Sequence, residues 1–150
     1  MPYPTMTLKQ IEALPVGRLA EDSAHLYLWT TQKFLRDSYG VVEAWGFRPS
    51  ATVLTWCKEP FGLGMGRVFG SATEFVLFGW RGEAPPRGRP AVNRNWFTWP
   101  RGKHSQKPEA FLDLVEAVSP GPYLELFARR NRLGWDTWGN ESLEHVELTP

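Results

Sequence analysis

Apolar residues along this chain alternate between two spacings. Residues 25–30 (His-Leu-Tyr-Leu-Trp-Thr) form a short, almost continuous apolar run. That pattern predicts a strand covered on both faces, as in a parallel sheet. Residues 51–58 and 74–80 repeat it with β-branched and aromatic side chains, and 95–99 predict a short fourth strand. Two more strands are expected at 123–128 and 135–138. Between them the spacing becomes helical. Thr7 can cap a short helix carrying Leu8, Ile11 and Leu14, which Pro15 stops. Residues 31–45 place Phe34, Leu35, Val41, Val42 and Trp45 on one helical face, with Gly40 a mild penalty inside it and Gly46 a natural stop. Residues 108–118 give the clearest stripe (Phe111, Leu114, Val115, Val118), with Pro108 in the first turn. Strands alternating with helices predict an α/β sandwich with a mostly parallel sheet.

A length of 150 residues sets one domain. Eight Trp and nine Phe are many for that length, and most are expected in the core, with some free to stack on a flat ligand. The formal net charge of +1 advertises no global basic field. Its distribution is uneven. Residues 81–107 carry seven Lys or Arg (Arg81, Arg87, Arg89, Arg94, Arg101, Lys103, Lys107) against one acid, Glu83, interleaved with Trp96, Phe97 and Trp99. Cations neutralise phosphates and aromatic faces stack bases, so this stretch is read either as a nucleic-acid contact or as a solvated loop pinned by its rings. The single Cys57 excludes an internal disulfide and a Cys-based zinc site, and fits a reducing, cytoplasmic setting. No apolar run reaches membrane-spanning length and no signal peptide is visible, so no membrane association is expected. No metal site is expected either, because His104 has no second ligand at metal-binding spacing.

Three groups could carry chemistry. Lys107 stands directly before a helix N-terminus, where a full charge adds to the helix dipole and suits a carboxylate or phosphate; a solvated lysine is the plain alternative. Glu125 lies inside an apolar strand and needs a partner, either a ligand hydroxyl, Arg129 or a backbone amide. Asn140 and Glu141 follow Gly139 in a turn and could close a pocket or simply make that turn. The run from Gly62 to Arg67 is neither G-x-G-x-x-G nor a P-loop, and reads better as a lid or substrate-side loop.

In order along the chain, Tyr3-Pro4-Thr5-Met6, Leu26-Tyr27-Leu28-Trp29, Thr55-Trp56-Cys57-Lys58, Glu74-Phe75-Val76-Leu77, His104-Ser105-Gln106-Lys107-Pro108, Ser119-Pro120-Gly121 and Leu124-Glu125-Leu126-Phe127-Ala128-Arg129 through Asn140-Glu141 resemble the MT-A70-like adenine-N6 methyltransferases. The resemblance runs almost end to end. It implies a Rossmann-like methyltransferase sandwich and S-adenosylmethionine as cofactor. It implies that Lys107 binds the cofactor carboxylate. Glu125, Phe127, Arg129 and Asn131 would then surround its ribose and adenine, with Asn140 and Glu141 closing the pocket. Tyr3, Trp29, Trp56 and Glu74 would lie near the target base, which by the same resemblance is adenine in DNA.

The family's chemistry depends on an Asp/Asn-Pro-Pro-aromatic tetrapeptide that accepts the hydrogens of a poorly nucleophilic adenine amine. This chain has none: Pro85-Pro86 is preceded by Ala84 and followed by Arg87. The motif would stand upstream of Tyr3, on a central strand, so the chain reads as truncated at its amino end relative to the family and no catalytic residue is assigned. Two main readings follow: a methyltransferase whose motif lies outside these residues, or an inactive relative that binds nucleic acid or serves as a partner subunit. An unrelated small α/β module is the third. Whether the protein works as a homo- or hetero-oligomer stays open.

Overall fold

A computed structural model describes residues 6–59, 68–83, 94–102, 106–128 and 131–138, with the side chain of Trp138 excepted. Thr7 caps α1 (Leu8–Glu12) in a full capping box: its hydroxyl accepts from the Gln10 amide and the Gln10 side chain accepts from the Thr7 amide. A one-turn helix, α2 (Val16–Leu19), follows Pro15. Strand β1 (Ala24–Thr30) leads through α3 (Leu35–Ala44) to β2 (Arg48–Cys57). β3 (Thr73–Arg81) returns, β4 (Trp96–Phe97) is two residues long, and α4 (Glu109–Val118) leads to β5 (Tyr123–Leu126) and β6 (Trp135–Trp138). Gly46, at φ +89, ends the α3 region as its position suggests.

The expectation of one mostly parallel sheet needs correcting. The strands form a four-stranded sheet ordered β1-β3-β2-β4 and a separate two-stranded sheet of β5 and β6. In the larger sheet β3 is antiparallel to both β1 and β2, and only β2 with β4 is parallel; β5 and β6 are parallel. The cause is one reversed strand. No described helix stands between β2 and β3, so β3 folds straight back beside β2, whereas β1 and β2, joined through α3, point the same way. The near-continuous apolar runs record burial on both faces, which a reversed central strand shares with parallel ones. Two smaller expectations also shift. Phe34 precedes α3 instead of packing on its face and is 49 % exposed. Pro108 is the N-cap of α4, one position before its first turn.

Alternating side chains serve two cores. Leu26, Leu28, Val53 and Leu77 pack with Val16, Val41, Val42, Trp45 and Phe47 from the α1–α3 side. Tyr27, Trp29, Leu54, Val76 and Phe97 pack with Phe111, Leu112, Leu114 and Val115 of α4. The smaller sheet shares both cores, through Leu126 in the first and Tyr123 and Trp135 in the second. The two sheets therefore lie side by side beneath the same helices.

Arg81 does not belong to a solvated basic loop. Its guanidinium donates to the carbonyls of Gly17, Ala20 and Glu21 at 2.8–2.9 Å, satisfying the end of α2. On the far side, Arg132 pairs with Glu109, Asp113 and Glu116 along α4 at 2.7, 2.6 and 2.9 Å. Trp135 Nε1 donates to the same Glu116 at 2.6 Å, so α4 and β6 are tied together. The Trp135 and Arg132 hydrogen bonds hold the Glu116 carboxyl below its ordinary pKa. No helix among the described residues is long and apolar enough to cross a membrane.

Leu77 is 1 % exposed at the centre of β3. Leu77→Ala is expected to lower the unfolding free energy by about 2–5 kcal/mol. The measurement is a lower denaturant midpoint at unchanged slope; a loss under about 0.5 kcal/mol would place that side chain outside the core.

Candidate functional site

The direction of α4 brings the separate sequence signals to one edge. Its C-terminal end meets the start of β1, where Ser119 Oγ lies 2.5 Å from His25 Nδ1 and 2.7 Å from Tyr27 Oη. Burial holds the Tyr27 phenol above its ordinary pKa, partly offset by that Ser119 contact. Just before α4, Lys107 reaches the opposite end of the sheet, where its ammonium sits 5.0 Å from the Trp29 ring centroid. α4 thus runs against β1, and β5 starts four residues after Ser119. The carboxyl ends of β1 and β2 and the amino end of β3 share one edge, and the carboxyl ends of strands are the usual place for a ligand in an α/β sheet.

At that edge Glu74 is the register partner of Trp56 across β2 and β3. Its carboxylate is held by two ammonium groups, Lys107 Nζ to Oε1 at 2.5 Å and Lys58 Nζ to Oε2 at 2.6 Å. The side chain is only 11 % exposed. Burial pushes the Glu74 pKa up, but the hydrogen bonds from Lys107 and Lys58 outweigh it, and the carboxyl lies below its ordinary value of 4.5. Beneath the ions is an aromatic floor. Trp29 meets Trp56 edge-on at 5.8 Å and Phe111 at 4.9 Å, and Lys58 lies 5.6 Å from the Trp56 ring. Trp56 is 3 % exposed and donates from Nε1 to the Trp99 carbonyl at 2.8 Å. It is therefore a wall of the site, not an open stacking face. Two cations flank one carboxylate over a partly apolar floor, where attraction between opposite charges is stronger than in open water.

The structure thus assembles Trp29, Trp56, Glu74 and Lys107, which lie up to 78 positions apart in the sequence. It also adds Lys58, which the sequence reading did not assign to the site. The signal was present: Lys58 follows Trp56 by two positions and so projects to the same side of the strand, toward Glu74. Glu125 lies on β5, and Phe127 and Asn131 lie in the segment between β5 and β6. Glu125 is the register partner of Thr137, whose hydroxyl donates to Asn131 Oδ1 at 3.3 Å. Phe127 takes φ +57 directly after β5, a left-handed turn that a non-glycine residue adopts at some cost. Tyr3, Arg129, Asn140 and Glu141 lie outside the described residues. In the basic stretch, Arg94 stacks over Trp96 at 5.2 Å and Phe97 at 5.9 Å.

Fold and site together define an α/β protein that gathers a lysine–glutamate–lysine group and aromatic rings at the carboxyl ends of its strands. The MT-A70 family model matches residues 1–141, and the chain belongs to that family. It is 39 % identical over 141 residues to the type II methyltransferase M.MunI of Mycoplasma sp, covering 93 % of this chain and 59 % of that protein. It is 49 % identical over 47 residues to the human N(6)-adenine-specific methyltransferase METTL4, covering 29 % of this chain and 10 % of that protein. The chain thus spans well under two thirds of either relative's length.

Because the folded pKa of Glu74 lies below the unfolded one, its contribution to stability is complete above the ordinary value and is lost as pH falls through the folded value. Wild-type protein should lose stability on acidification through and below pH 4.5 more steeply than Glu74→Gln, which cannot titrate. Denaturant titrations across that range test this, and equal slopes would show that the lysines do not hold the carboxylate.

Proposed function

We propose that this chain is the cofactor-holding and base-facing part of an S-adenosylmethionine-dependent methyltransferase acting on N6 of adenine in DNA. The observation that carries the reading is the Glu74–Lys107–Lys58 group over Trp29 and Trp56. Family membership and relatives named as methyltransferases support it.

The residues fit the cofactor. The ammonium of Lys107 suits its carboxylate, and the segment from Glu125 through Phe127 to Asn131 suits a ribose and a flat base. When bound, S-adenosylmethionine supplies an electrophilic methyl group on sulfur. The chain's own part is to bind and to orient: Lys107 holds the tail, Glu125 takes ribose hydroxyls, and Trp29 with Glu74 bounds the space into which an adenine is turned out of its stack. The acceptor for the adenine amine hydrogens is not among these 150 residues, which lack the tetrapeptide.

The reading puts the tetrapeptide on a strand between β1 and β5. These belong to different sheets, yet their side chains share both cores, Leu26 and Leu28 with Leu126, and Tyr27 and Trp29 with Tyr123. One strand between them would join the two sheets into one and cover an open edge.

Calorimetry should detect binding of S-adenosylmethionine by the chain, and Lys107→Ala should weaken it about tenfold or more, the scale of a lost charge-assisted contact. Unchanged affinity would remove Lys107 from the cofactor site. A radiolabelled-methyl assay on adenine-containing duplex DNA should show no transfer by these residues alone. Transfer would prove that they contain a catalytic group of their own.

A further inference from the structure

Lys58 and Lys107 bind the same carboxylate but not the same atom. Lys58 takes Oε2 and Lys107 takes Oε1. The two contacts use different oxygens, so one ammonium can leave Glu74 while the other stays. Independence matters because of burial. A carboxylate 11 % exposed, stripped of every cation, would lie unpaired in a poorly hydrated place. With Lys107 as its only partner, Glu74 would compete directly with any incoming anion for that lysine.

Lys58 is built to stay. It follows β2 immediately, and its backbone N–H donates to the Ala72 carbonyl at 2.9 Å, closing the base of the β2–β3 hairpin. Its stem starts diagonally across the ladder from Glu74, within reach on the same face. Lys107 instead comes from the segment leading into α4, and its ammonium lies 5.0 Å from the Trp29 ring centroid.

We infer that Lys58 is a positioning residue that keeps Glu74 charged and in place when Lys107 turns from it to the carboxylate of an amino-acid-bearing ligand. This rests on the reading of Lys107 as the cofactor's carboxylate site. The ligand side of the exchange is one anion replacing another on Lys107, with no bond made or broken.

The test uses the whole chain and two probes: S-adenosylmethionine, and 5′-methylthioadenosine, a nucleoside thioether without the amino-acid tail. Lys58→Met should weaken S-adenosylmethionine binding about tenfold, because Glu74 then holds Lys107 alone. Binding of the tailless probe should stay within about twofold, since it makes no demand on Lys107. Lys58→Arg should restore the affinity. The Lys58→Met, Glu74→Gln double variant should regain most of it, because a neutral amide no longer competes for the lysine. An effect of Lys107→Ala with none of Lys58→Met overturns the inference and leaves the cofactor reading standing. No effect of either, or no binding by the wild-type chain, overturns both. Equal losses for both probes, or a double variant as weak as Lys58→Met, would make Lys58 a structural residue only.

Discussion

A buried carboxylate between two ammonium groups organises one edge of this protein's larger sheet. Glu74 sits at the amino end of the one reversed strand, so its position depends on β3 lying between β1 and β2. From there it draws in Lys58 at the end of β2 and Lys107 before α4. An ion group of this kind is poor evidence for stability, because desolvation offsets much of the Coulomb attraction. Its value here is geometric. It places two ammonium groups beside the rings of Trp29 and Trp56, at the carboxyl ends of β1 and β2.

Helix α4 gives this edge its breadth. One end meets β1 through Ser119, His25 and Tyr27, and the other carries Lys107 to the site. Arg132 and Trp135 clamp the smaller sheet along the same helix. The helix thus ties the smaller sheet to the larger one. Two shared cores hold the sheets level with each other without a hydrogen-bonded ladder between β1 and β5.

Much was legible in the linear order of residues. Thr7, Pro15, Gly46 and Pro108 mark boundaries through local backbone chemistry, and α4 and the strands at 74–80 and 135–138 fall close to where periodicity puts them. Trp29, Trp56, Glu74 and Lys107 were singled out on resemblance, and they meet in space. Capping hydrogen bonds, proline geometry and side-chain periodicity act within a few residues, so a one-dimensional reading captures them.

Strand direction, the split sheet, the solitary work of Arg81 on α2, and the recruitment of Lys58 were decided only in three dimensions. An apolar run buried on both faces looks the same whether its neighbours are parallel or antiparallel, because burial leaves no record of direction. A lysine after a strand looks like any solvated lysine until the register sets a carboxylate beside it. Local composition determined which segments become helix and strand. Long-range pairing of β3 with both its neighbours, and the packing of α4 across both sheets, determined which charges meet, since that depends on contacts between residues far apart in the chain.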